Sequence, residues 1–88
     1  MIEGKTNTGF AFSLNEEVLD DYELVEALCD VDDGNFGSIV KVVDMLLGGE
    51  QKKALKEHIR SLNGKVSVTM MCDEVTQIFN ACNDLKNS

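Results

Sequence analysis

The stretch from Phe36 to Leu47 constrains this chain more than any other part of it. Only Gly37, Ser38, Lys41 and Asp44 in that stretch are not apolar. Ser38, Lys41 and Asp44 recur every third residue, so in a helix they form one narrow polar stripe and apolar side chains occupy the rest of the circumference. Asn35 can cap such a helix and Gly48-Gly49 can end it, which predicts a helix over about 35–47. A helix this apolar is either the centre of its bundle or pressed against a partner. The chain has 88 residues, enough for one domain, and a domain of that size buries only about 60–65 % of the surface its unfolded form exposes. Few elements are on hand to cover the helix. The interface reading therefore stands beside the core reading, and it assigns partner contact to Phe36, Ile39, Val42, Val43, Met45 and Leu46. The substitution Val42→Asp separates the two: loss of association with an intact fold supports an interface, unfolding supports a core.

The remaining elements are read from period and punctuation. Thr6-Asn7-Thr8-Gly9 is turn material, and Phe10, Phe12 and Leu14 alternate with Ala11 and Ser13, so a β-hairpin is expected over about 1–14. A lone hairpin is marginal in water, and its apolar face must lie on helices or pair with another chain. A helix over about 20–32 begins at Asp20 or Asp21 and ends at Asp32-Asp33-Gly34. Its apolar set is Tyr22, Val25, Leu28 and Cys29, widened by Leu24 and Val31. A helix over about 50–62 carries a thin seam of Leu55, Ile59 and Leu62 and is otherwise solvated, with Gly64 as its stop. Ser67 can cap a last helix over about 67–86, where Val68, Met71, Cys72, Val75, Ile78, Phe79, Cys82 and Leu85 keep a 3-then-4 spacing. The expected fold is mainly α: a single domain over 1–88, with a short N-terminal β-hairpin followed by a compact bundle of about four helices.

Charge is unevenly placed. The net charge is −8; residues 1–44 carry eleven acids against Lys5 and Lys41, and residues 45–88 come to +1. The only basic cluster, Lys52, Lys53, Lys56 and Arg60, is interrupted by Glu50 and Glu57 and has no aromatic neighbour to stack on bases, so nucleic acid is not an expected partner. The asymmetry suits contact between copies. No apolar run approaches the ~18 residues of a membrane span, and the first residues lack the basic-then-apolar order of a signal peptide. Cys29, Cys72 and Cys82 form an odd set with no Cys-x-x-Cys pair, and all three fall on apolar helix faces as small hydrophobes. A reducing cytoplasm fits.

Motifs for chemistry fail on inspection. Asp30-Val31-Asp32-Asp33-Gly34-Asn35 has the look of a calcium loop, but a register starting at Asp30 puts Gly34 one place early and Lys41 where the bidentate glutamate belongs. Starting at Cys29 corrects the glycine, loses the first ligand and puts Val40 last. The segment is an acidic turn between two helices. A phosphopantetheine carrier of similar size and acidity attaches its arm to a serine opening the second helix after an aspartate; here the stretch is Gly37-Ser38-Ile39, with glycine in the aspartate position. An acyl-carrier-like domain using Ser38 stays as an alternative, beside a small structural or regulatory protein of other role. His58, the only histidine, lies mid-helix without a nucleophile nearby. No catalytic residue, cofactor or metal site is assigned.

The order of features is similar to one known family. Gly9-Phe10 follows a turn; then come Leu19-Asp20-Asp21-Tyr22-Glu23-Leu24, Asp32-Asp33-Gly34-Asn35 and Leu46-Leu47-Gly48 with Glu50-Gln51. His58-Ile59-Arg60, Gly64-Lys65-Val66 and the ending Leu85-Lys86-Asn87-Ser88 complete the series. Together these resemble the small tail assembly chaperones of long-tailed phages and related prophages of Gram-positive bacteria. Each piece is short, and the specificity lies in their order across nearly the whole chain. The resemblance implies a non-catalytic chaperone that coats the helical tape measure protein in the host cytoplasm, with the major tail protein as a second candidate partner. It implies self-association and absence from the mature virion. In that family a frameshift often yields a longer form, and an ending just after the last helix is compatible with the short product. Met45, Met70 and Met71 add adaptable surface or fill an irregular core.

Overall fold

A computed structural model describes the backbone of residues 2–87 and the side chains of residues 2–83. Strand β1 (Ile2–Lys5) pairs antiparallel with β2 (Ala11–Leu14), Gly4 opposite Phe12. The turn closes where the sequence places it: Gly9 donates its N–H to the Thr6 carbonyl at 2.9 Å and has φ +95°, a conformation that suits glycine. Alternation puts Ile2, Phe10, Phe12 and Leu14 on one buried face. Gly4 is required beneath Phe12, because a Cβ there would lie 2.7 Å from the ring. A 3-10 turn, Glu16–Asp20, which the sequence reading did not anticipate, then buries Leu19.

Helix α1 (Tyr22–Asp32) is capped as expected, the Asp21 carboxylate accepting the Glu23 N–H at 2.9 Å. Its buried face is not the expected one. Leu24 and Ala27 are buried with Leu28 and Val31 beside them, whereas Tyr22, Val25 and Cys29 are exposed. Two apolar rows run along this helix, and packing against α2 buries the row that carries Ala27.

The bundle has three helices rather than four. The second and third expected helices form a single element, α2 (Ser38–Asn63), interrupted at Gly48, where φ is 75° and ψ 176°. That backbone conformation is essentially restricted to glycine. Two side chains bridge the break: Lys52 pairs with Asp44 at 2.7 Å, and the Gln51 amide donates to the Leu47 carbonyl at 3.2 Å. Phe36 lies before α2 in a turn and Asn35 makes no side-chain cap; Gly37 is the residue that precedes the helix. Gly64, with φ +82°, stops α2 by donating to the Arg60 carbonyl. Leu62, expected in the seam, is exposed at its last turn. Helix α3 (Val68–Asn87) starts on Ser67, whose hydroxyl accepts the Met70 N–H at 3.3 Å. Met71, Val75, Ile78 and Cys82 are its buried row, and the Leu85 side chain expected to extend that row falls outside the described residues.

The core forms where these elements meet. α1 packs along α2, β2 lies on α2 and β1 on α3. The first half of α2 is its centre: Ile39, Val42, Val43, Leu46 and Leu47 are all buried, and Val42 has no exposed surface. Leu55, Ile59 and Ile78 complete it. Four of the six proposed partner contacts, Ile39, Val42, Val43 and Leu46, thus belong to the chain's own core. Folding the second half of α2 back at Gly48 supplies the cover that a straight helix would lack. Val42→Asp is therefore expected to abolish the cooperative thermal transition followed by circular dichroism, since a buried unpaired carboxylate costs several kcal/mol. Gly48→Ala, with open space around the added methyl, loses about 1–3 kcal/mol through backbone strain alone. Gly49→Ala, in the ordinary helical region, gains up to about 1 kcal/mol. Chemical denaturation of the two glycine variants gives opposite signs.

Candidate partner-binding groove

Burial of the hydrophobic centre leaves one apolar concavity on the α2–α3 side. The first half of α2 contributes Ile39, Val40 and Val43 to its floor and wall; the segment entering α3 contributes Val66, Val68 and Met71. Its volume is about 250 Å³. Val40 and Val68 are 61 % and 52 % exposed, far more than valine favours, and Phe36, one turn before Val40, is 59 % exposed. The opposite rim belongs to the second half of α2. Lys52 and Lys56 stand there at one-turn spacing. Lys52 leans on Asp44, while Lys56 has no acidic group within 4.0 Å among the described residues. The groove is an apolar trough with cations along one wall, and the break at Gly48 creates it by turning Lys52 and Lys56 back over Ile39 and Val43.

The residues expected to meet a partner divide accordingly. Ile39 and Val43 are buried yet form the groove floor, Phe36 is exposed but not part of the lining, Met45 is half-buried, and Val42 and Leu46 face inward. Val40 and Val68 were missed. Both lie at positions the helical period assigns to apolar faces, and only exposure in the folded chain separates a rim residue from a core residue. Val66 and Lys56 join the groove from segments well removed in sequence from Ile39 and Val40.

A second, polar cluster closes the hairpin tip against both helices. Glu74 of α3 is 2 % exposed, and its Oε1 accepts the Thr6 hydroxyl at 3.0 Å and the Thr8 hydroxyl at 2.6 Å. The Thr8 oxygen lies 2.9 Å from His58 Nε2. With the single Thr8 proton directed to Glu74, the hydroxyl accepts from His58 N–H. His58 is half-buried, its ring 5.7 Å from that of Phe10, not on a solvated face as expected. A threonine, a histidine and a glutamate in contact invite a catalytic reading. In this geometry the cluster fastens the tip, Glu74 Oε1 taking both threonine hydroxyls while Thr8 also meets His58. Glu74 Oε2 is buried without a partner among the described residues, so this anchoring depends on the two threonines.

Ser38 opens α2 and is half-buried. The cysteines are all free: Cys82 is buried and Cys72 half-buried, but Cys29, expected in the core, is exposed. Burial raises the Cys82 thiol pKa, and burial followed by the neighbouring Asp73 charge raises that of Cys72. Among the described residues no three His, Cys, Asp or Glu side chains converge on a metal position, and no helix is long and apolar enough to cross a membrane. Comparison with known proteins finds no family model, no curated protein and no solved structure that matches this chain.

Thr6→Val is expected to lower stability by about 1–3 kcal/mol, as it removes a donor from Glu74 and the acceptor of the Phe10 N–H; urea denaturation measures it. An aromatic disulfide reagent is expected to modify Cys29 in the folded chain and Cys82 only at the rate of unfolding.

Proposed function

We propose that this chain is a tail assembly chaperone of a long-tailed phage, acting in the host cytoplasm, and that it holds an amphipathic helix of the tape measure protein in the α2–α3 groove. The observation that carries this reading is the trough itself: exposed Val40 and Val68 over a floor of Ile39, Val43 and Met71. An apolar slot of this kind receives a helix presenting residues at i, i+3, i+4 and i+7. Lys52 and Lys56 favour a ligand helix with acids flanking its apolar stripe. Half-buried Met45 and Met70 beside the core allow repacking around varied sequences. The ordered series of short motifs from Gly9-Phe10 to Gly64-Lys65-Val66 supports the family assignment, and nothing in the role calls for catalysis, a cofactor or a metal.

Co-expression with a phage tape measure protein tests the proposal. That protein is expected to be soluble with the wild-type chain and insoluble without it. Val40→Asp and Val68→Asp, both on exposed positions, are expected to keep the wild-type melting transition and to lose the solubilising effect. Equal insolubility of the tape measure protein with and without the wild-type chain overturns the reading.

A further inference from the structure

The two edges of the hairpin are treated differently. On β2, the Gln51 side chain acts as a substitute peptide group: Ser13 N–H donates to Gln51 Oε1, and Gln51 Nε2 donates to the Ser13 carbonyl, both at 2.7 Å. That edge is closed. Since the Ser13 backbone points outward, the alternation of antiparallel pairing turns Gly4 and Phe12 towards each other and turns Glu3 and Lys5 outward on the far edge of β1. Two bonds at the tip agree with this parity. Thr6 N–H continues the ladder to the Phe10 carbonyl at 2.9 Å, and the outward Asn7 N–H is taken by Gln77 Oε1 at 2.7 Å. Among the described residues, nothing bonds the outward backbone groups of Glu3 and Lys5, whose side chains are exposed.

We propose that this open β1 edge pairs with β1 of a second copy, antiparallel about a two-fold axis at Gly4, giving a continuous four-stranded sheet. Backbone parity and charge choose the register together. Only outward residues can exchange hydrogen bonds, so Glu3 and Lys5 must face odd-numbered residues of the second copy. Placing Glu3 opposite Glu3, or Lys5 opposite Lys5, sets like charges against each other. One register remains, with Glu3 opposite the second copy's Lys5 and Lys5 opposite its Glu3, each pair exchanging both backbone bonds. Gly4 meets Gly4 at the centre, where no side chain obstructs the strands. An isologous contact of this kind closes at two copies. It is small, and its dimer is concentration-dependent. The inference stands independently of the chaperone reading, because it uses none of the groove residues.

Sedimentation equilibrium on the full, untagged chain tests it. The wild type is expected to show a monomer–dimer equilibrium. Glu3→Lys places lysine against lysine, Lys5→Glu places glutamate against glutamate, and each is expected to raise the dissociation constant roughly tenfold. An equimolar mixture of the two variants is expected to pair again, as is the chain carrying both exchanges, and both should match the wild type within a few-fold. A parallel pairing or a contact elsewhere does not reproduce that pattern. A wild type that stays monomeric overturns the proposal, as do single variants that dimerise like the wild type or a mixture that fails to recover. Val40→Asp, which blocks the groove, leaves this equilibrium unchanged, so failure here and failure of the chaperone reading are separately visible.

Discussion

The break at Gly48 is the constraint on which the rest of this structure depends. The apolar half of α2 offers side chains on nearly every side, and a domain of 88 residues has little with which to surround them. Continuing as a straight rod would carry Leu55 and Ile59 away from Ile39 and Val43. Glycine at position 48 admits a backbone conformation closed to other residues, and the helix doubles back on itself. Its second half then covers its first, while α1, the hairpin and α3 take the remaining sides. The Leu47 carbonyl at the break and the Ser13 groups at the sheet edge are satisfied by the same Gln51 amide. One side chain thus joins the turn in the helix to the register of the sheet.

The proposed function rests on what that cover leaves open. The doubled helix and the start of α3 do not meet over Val40 and Val68, and the gap is an apolar groove rimmed by lysines. Elsewhere the closing devices are specific: two threonines fasten the hairpin tip to Glu74, and Gln51 and Gln77 occupy strand-edge groups that water or another strand would otherwise take. Edge protection of this sort is how small sheets avoid indiscriminate pairing. Its absence along Glu3–Lys5, among the described residues, is what singles out that edge.

Much of the fold is legible in the chain, for local reasons. The hairpin turn at Thr6–Gly9, the Asp21 and Ser67 caps and the Gly64 stop are decided by one or two residues that each supply a donor, an acceptor or a positive φ. Period places Met71, Val75, Ile78 and Cys82 of α3 in its buried row, but Val68, expected with them, is exposed. The candidate site was less legible. Partner contact was expected from the most apolar face, yet Val42 and Leu46 are core, and the exposed residues lining the groove are Val40 and Val68. Hydrophobicity marks both kinds of position equally, so the difference is invisible until the neighbours are in place.

By itself the sequence determined most of the elements and several of their ends, since capping, turn geometry and helical or strand period act over a few residues. It also determined that glycine at 48 interrupts the apolar helix. Tertiary structure alone decided that the two helical halves meeting at Gly48 line one groove together, Ile39 and Val43 from the first and Lys52 and Lys56 from the second. It decided which of two apolar rows α1 buries, with Ala27 inward and Tyr22 outward. And it decided that His58, Thr8 and Glu74, distant in sequence, share one hydrogen-bonded cluster. The physical reason is common to all three. Packing selects among faces of similar polarity by shape and by the pairing of buried polar groups, and both depend on partners that no local window of sequence contains.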